Sequence, residues 1–363
     1  METTGTLGEL LLARGVSRRA LLRYGAALAA ALALPASAGR ALAQGLAKAR
    51  RPSVIWLSFQ ECTGCSEALT RAYAPTLEQL ILESISLDYH HTLQAASGTA
   101  AEAAREAAMR ENPSGYLVVV DGSVPLGGKG FSTIAGVDNR TLLEETVKGA
   151  AAVIAVGSCA AFGGLPMAHP NPTGAAPVAE VVRDKPVINL PGCPPIPEVM
   201  ASVVAHFLAF GKWPELDDLR RPLSFYGETL HDRCYRRSFY DRGFFAESFD
   251  DEGARKGWCL FKLGCKGPTT YNACASMKWN GGVSFPIQSG HGCLGCSEPH
   301  FWDAGGFYRA LSVPAPLSRR VIPIALGAGA ILGAGAALSN RRRQDASRAA
   351  TSPLSIDDLE RSS

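Results

Sequence analysis

From Ser53 to Phe210, short apolar runs alternate with stretches whose apolar positions return every three or four residues. The runs are Val54–Phe59, Ile85–Tyr89, Tyr116–Asp121, Ala152–Gly157 and Val187–Leu190, and they read as strands. Ala101–Arg110, Thr141–Ala150 and Ile196–Phe210 carry helical spacing between them. Such alternation predicts an α/β domain, a parallel sheet covered by helices on both faces. A second region, about Pro222 to Phe307, has few periodic runs and many Gly, Pro and aromatic residues. A segment of that kind builds little apolar core alone, so bound metal is expected to organise it.

The two ends read as addresses. Ser17-Arg18-Arg19-Ala20-Leu21-Leu22-Arg23 precedes an apolar run from Ala26 to Pro35, and Ala41-Leu42-Ala43 offers a small-residue cleavage site before Gln44. Residues 1–43 are therefore expected to be a twin-arginine export signal; an ordinary secretory signal that happens to carry paired arginines is the alternative. Val321 to Leu338 is an uncharged stretch of 18 residues followed by Arg341, Arg342 and Arg343. That predicts a transmembrane anchor over 319–340 with a polar cytoplasmic tail over 341–363. Gly329 and Gly333 would let one face pack closely on another membrane helix. A Gly/Ala tail is the alternative there. Together the ends predict a globular part held on the periplasmic side of the inner membrane.

Composition narrows the classes. At 363 residues the chain has room for two domains once its ends are set aside. Its formal charge of +3 leaves no footprint for nucleic acid, and no phosphate loop or dinucleotide-binding glycine fingerprint occurs.

All ten cysteines fall into three groups. Cys62, Cys65, Cys159 and Cys193 follow the first, fourth and fifth strand candidates. They stand just beyond the carboxyl ends, where open parallel sheets bind ligands. Four thiolates converging there can enclose a four-iron cluster. His231, Cys234, Cys259 and Cys265 form a second group, and by spacing alone a Cys3His zinc site is an equal alternative. Cys274, Cys293 and Cys296 form a third, with only three thiolates before Pro299, which suits a cluster lacking one iron. Pro286 stands where a fourth ligand could have been. Disulfides are the alternative for an exported chain with an even cysteine count. Cofactor-loaded cargo, however, must be exported folded, so the signal and the cysteine groups support each other. Three clusters in one chain imply an electron relay.

Six stretches, in order, resemble the small subunit of nickel–iron hydrogenases. They are Glu61-Cys62-Thr63-Gly64-Cys65-Ser66-Glu67, Gly157-Ser158-Cys159-Ala160-Ala161-Phe162-Gly163-Gly164 and Pro191-Gly192-Cys193-Pro194-Pro195, then Lys256-Gly257-Trp258-Cys259, Leu263-Gly264-Cys265-Lys266-Gly267-Pro268 and Gly290-His291-Gly292-Cys293-Leu294-Gly295-Cys296-Ser297-Glu298-Pro299. The resemblance is to a membrane-bound or periplasmic uptake enzyme. It implies a flavodoxin-like domain over 44–215 and a largely irregular iron–sulfur domain over 216–312. It further implies a proximal [4Fe–4S] cluster on Cys62, Cys65, Cys159 and Cys193, and a distal [4Fe–4S] cluster on His231, Cys234, Cys259 and Cys265. A medial [3Fe–4S] cluster would take Cys274, Cys293 and Cys296, beside Pro286. An obligate large subunit would hold the nickel–iron centre, so no catalytic residue is expected in this chain. Electrons from hydrogen would leave through a cytochrome b or another membrane quinone-reducing partner. Oxygen-tolerant members of that family carry extra cysteines at the positions of Gly64 and Gly164, so an oxygen-sensitive enzyme is expected.

Two other classes compete. A quinone-reductase subunit of the respiratory complex I type would hold a single cluster and would not need His231 or the six late cysteines. A non-enzymatic periplasmic protein with disulfides or zinc would be colourless and free of iron.

Overall fold

The computed structural model describes residues 6–311, apart from 14–15, 33, 50, 74 and 304–306. Five strands form one parallel sheet: β1 (Ser53–Ser58), β2 (Ser86–Tyr89), β3 (Tyr116–Asp121), β4 (Ala150–Val156) and β5 (Val187–Leu190). Their spatial order is β2-β1-β3-β4-β5. Every neighbouring pair is parallel, with Val54 opposite Leu117, Val118 opposite Val153 and Ile154 opposite Ile188. This is the flavodoxin-like winding, and all five expected strands are in it.

Alternate residues of each strand face opposite layers. Val54, Trp56, Leu117, Val119 and Ile154 enter one core, whereas Ile55, Leu57, Val118, Val120 and Val153 enter the other. Helices α1 (Leu7–Ala13), α2 (Arg18–Ala31), α3 (Ala38–Lys48), α4 (Gly64–Thr70), α5 (Thr99–Glu111), α6 (Asn139–Val147), α7 (Gly157–Phe162) and α8 (Pro197–Phe210) accompany the sheet. The second core is sealed by Ala101 and Ala108 of α5 and by Leu142, Leu143 and Val147 of α6. Against the first lie Ala68 and Leu69 of α4, Val199 and Val203 of α8, and Leu42 and Leu46 of α3.

Local chemistry sets the helix ends. Asp138 caps α6 by accepting from the Arg140 N–H at 3.0 Å. Pro197 opens α8, where no amide donor is needed, and Gly211 closes it in the left-handed region. The paired arginines open α2, with Ser17 Oγ accepting from the Ala20 N–H at 3.2 Å. Helix α3 continues through the expected cleavage point, and Leu42 and Ala43 are buried there. It lies close against α8, since a Cβ at Gly45 would meet the Ala209 carbonyl oxygen at 2.2 Å.

Beyond Gly211 the described chain has no strand of the sheet and no helix longer than Arg237–Asp241. Its apolar residues Phe225, Leu230, Leu260, Phe285 and Ile287 join the first core together with Cys265, Cys274 and Cys293.

The expected fold class is corrected in one respect, the C-terminal transmembrane helix. Among the described residues no helix is long and apolar enough to cross a membrane. The longest of them, α2 and α8, have 14 residues. That is a rise of about 21 Å against a hydrocarbon layer of about 30 Å. The stretch 319–340, on which the expectation rested, and the tail 341–363 lie outside the described residues.

Candidate metal centre

Three loops deliver the first group of cysteines to one edge of the sheet. Cys62 and Cys65 lie between β1 and the body of α4, Cys159 is in α7 directly after β4, and Cys193 follows β5. Burial drives the Cys65 thiol well above its ordinary range, and Asp121, Cys159, Cys193 and Cys62 add to the push, so all four thiols lie within electrostatic reach. Burial likewise lifts Cys159 to about 12. Two glycines make the space. A Cβ on Gly157 (φ +82°) would sit 2.4 Å from Cys65 Sγ, and one on Gly164 (φ +54°) would sit 2.6 Å from Cys159 Sγ.

The third group surrounds a cavity of about 520 Å³ lined by Cys193, Cys274, Cys293 and Cys296, with Trp279, Phe285 and Pro286 in its wall. Burial raises Cys274, Cys293 and Cys296 to about 12, and each is raised further by another member of the group. Packed thiols of this kind are poor thiolates unless a cationic centre sits among them. The cavity, the crowded sulfurs and the glycine-lined sheet edge therefore fit iron–sulfur clusters.

In the second group Cys234, Cys259 and Cys265 act on one another, with burial the main cause of their raised values, about 11 for Cys259. The His231 ring packs edge-on against Tyr240 at 4.6 Å between centroids, and Tyr240 in turn touches Phe245 and Phe261 on either side of Cys259. Burial and Arg237 hold His231 below its usual value, in the neutral form a metal ligand needs. All ten cysteines are free thiols. Among the described residues no three of His, Cys, Asp and Glu close on a point where a single ion would sit.

The three groups touch in series. Cys193 lines the cavity of the third group beside Cys296 and acts electrostatically on it, joining the first group to the third. Cys293 N–H donates to Cys265 Sγ at 3.3 Å, joining the third to the second. Ser158 reinforces the first junction: its hydroxyl donates to the Cys296 carbonyl and accepts from the Gly192 N–H at 3.0 Å. The Lys266 N–H donates to the Cys293 carbonyl at 2.8 Å at the second. Gly267 and Gly295 amides donate to Cys265 and Cys293 sulfurs at 3.5 and 3.4 Å. Such donors tune cluster potentials.

Several residues at the centre were not singled out from the sequence. Asp121 ends β3 fully buried, accepts from Ser66 Oγ at 3.3 Å, and is raised mainly by burial. Burial and Asp121 lift Glu61 to about 7. The signal for Asp121 was available: a lone carboxylate closing the otherwise apolar Tyr116–Asp121 run at the sheet's carboxyl edge. Ser158, Arg221 and Tyr226 carry no such signal.

Residues 226–309 match the C-terminal family of the NiFe/NiFeSe hydrogenase small subunit, and residues 62–207 match the NADH ubiquinone oxidoreductase 20 Kd subunit family. The chain is 48% identical over 313 residues to the hydrogenase-1 small chain of Citrobacter freundii, covering 85% of this chain and 83% of that one. It is 47% identical over 341 residues to the uptake hydrogenase small subunit of Azotobacter vinelandii, covering 93% and 95%. Among solved structures it resembles a reduced, active Ni-Fe-Se hydrogenase from Desulfomicrobium baculatum, with a TM-score of 0.66 and 34% identity over 72% of this chain and 100% of that one.

Proposed function

This chain belongs to the small-subunit family of nickel–iron hydrogenases, oxidoreductases whose nickel–iron site lies in a partner large subunit, and from that premise we propose that its ten cysteines and His231 hold three clusters in a row. The proximal [4Fe–4S] cluster falls to Cys62, Cys65, Cys159 and Cys193. A medial [3Fe–4S] cluster falls to Cys274, Cys293 and Cys296, and a distal [4Fe–4S] cluster to His231, Cys234, Cys259 and Cys265. Bound there, the clusters supply one-electron sites that carry electrons from hydrogen oxidation to an acceptor. The observation that carries this reading is the serial placement of the three groups: Cys193 and Cys296 line one cavity, with Ser158 bonding Gly192 to the Cys296 carbonyl, and the Cys293 N–H donates to Cys265 Sγ.

The protein's own part is to hold, insulate and tune. Backbone N–H donors at Gly267, Cys293 and Gly295 offset negative charge on the sulfurs. Phe285, Ile287 and Leu230 keep water from the medial cavity. His231 replaces one thiolate with a neutral ligand, which lowers the negative charge at the distal end. No cysteine is left over to hold nickel.

We place the protein on the extracytoplasmic face of the inner membrane, exported through the Arg18-Arg19 signal, with a cytochrome b or other membrane quinone-reducing protein as acceptor. The test is iron, sulfide and EPR on the anaerobically purified heterodimer. About twelve irons per heterodimer, eleven in this chain and one in the partner's nickel–iron centre, and an oxidised three-iron signal are expected; stoichiometric zinc in this chain, or disulfides without its iron, would sink the assignment.

A further inference from the structure

The residues that bind the ligand-bearing loops to one another are not themselves ligands, and one of them is a buried cation. Arg221 is 4% exposed. Its Nε donates to Asp217 Oδ2 at 2.8 Å, and its Nη1 donates to Glu298 Oε1 at 3.0 Å and to the Ser297 carbonyl at 3.2 Å. The guanidinium carbon lies 5.7 Å from the centre of the Tyr226 ring and 5.5 Å from that of Tyr271.

Each contact leads to a ligand. Ser297 and Glu298 directly follow Cys296. Tyr271 precedes Cys274 by three residues, donates its N–H to Glu298 Oε1 at 2.6 Å, and accepts at its carbonyl from Ser297 Oγ at 2.9 Å. The Tyr226 hydroxyl donates to the Pro191 carbonyl at 2.8 Å, two residues before Cys193. One side chain therefore spans the loops of two medial ligands and one proximal ligand. Its own backbone is anchored as well: the Arg221 N–H donates to Asp217 Oδ1 at 2.8 Å, and the Asn189 N–H of β5 donates to the Arg220 carbonyl at 2.9 Å.

A buried guanidinium is costly unless its donors are met, and a planar fork that grips two carboxylates, a carbonyl and two ring faces cannot be copied by an ammonium. We infer that Arg221 is a positioning residue for the electron path, holding Cys274 and Cys296 at a fixed distance from Cys193; this rests on the cluster reading above. Tunnelling between redox centres decays exponentially with their gap, so slack at this knot would slow transfer without touching any ligand. Neither the hydrogen-splitting partner nor the acceptor is involved.

The test uses heterodimers carrying Arg221→Lys or Tyr226→Phe beside the wild type. Anaerobic EPR titration gives the medial potential and line shape. The magnetic splitting between reduced proximal and medial centres, which falls with the cube of their separation, gives the gap. Both variants are expected to keep wild-type iron and wild-type distal potential, with altered medial line shape, changed splitting and several-fold slower electron transfer between the two centres. Wild-type splitting and rate in Arg221→Lys would overturn the inference, because charge alone would then suffice. Should Arg221→Lys fail to fold, Tyr226→Phe decides: it deletes one hydrogen bond, keeps the ring, and must still change the splitting. A wild type without iron would instead remove the cluster reading itself, so the two failures are told apart.

Discussion

Beside Cys65 there is no room for a single methyl group. Because a Cβ at Gly157 would lie 2.4 Å from that sulfur on a backbone with φ +82°, Gly157→Ala is expected to cost the first cluster, lowering the iron count by about four while the sheet's circular dichroism holds. A different constraint acts on His90, which is fully buried, faces Ser66 Oγ at 3.3 Å through Nε2, and accepts from the Thr92 N–H at 3.1 Å through Nδ1. Burial, with His91 adding to it, holds its value down at about 4. The unfolded chain binds that proton near the ordinary imidazole value of about 6.5. Between the two values the unfolded state carries more protons, so the neutral buried imidazole stabilises the fold fully above about 6.5, and that contribution is lost as the pH falls toward 4. His90→Gln is expected to flatten this slope in the unfolding midpoint measured against pH, by up to one proton's worth.

At the scale of elements, α3 carries a tension between folding and processing. It runs unbroken through Ala43 and Gln44, with Leu42, Ala43 and Leu46 buried, whereas a peptidase needs an extended, accessible segment. If residues 1–43 are the export signal, α3 must unwind from α8 before cleavage. Replacing Arg18 and Arg19 with Lys is expected to leave uncleaved chain in the cytoplasm, read by fractionation and by the mass of the chain; normal export would refute the assignment. Four of the five strands were legible because they are covered on both faces and so are written as nearly pure apolar runs, such as Tyr116–Asp121; the half-buried edge strand β2 was legible from the short Ile85–Tyr89 run. Three helices of the sheet, α5, α6 and α8, were legible from their spacing and came out within a few residues, whereas α1 to α4 and α7 were not read as helices. The region after Gly211 was not legible as structure, since its backbone follows cysteine and aromatic contacts rather than any period. The three cysteine groups stood out in the sequence by spacing and motif, but Arg221 meets Glu298 across 77 positions, and no local pattern encodes such a pairing.

For the whole molecule, one apolar core runs from under the sheet into the cysteine-rich region, through Ile196, Phe225, Leu230 and Leu260 to Phe285 and Ile287. Stripping iron with a chelator should therefore have unequal effects. The sheet, with one core wholly its own and most of the other, is expected to remain, while residues after about 216 become open to limited proteolysis, as follows if bound metal there contributes the folding energy that packing does not. Equal resistance across the chain after iron removal would contradict that division. The amide of Cys293 on the sulfur of Cys265, with Lys266 returning a bond to the Cys293 carbonyl, has a consequence for biogenesis. Neither pocket can be shaped without shaping its neighbour, so medial and distal metal should arrive together, and stepwise reconstitution should pass through no species that holds one and lacks the other.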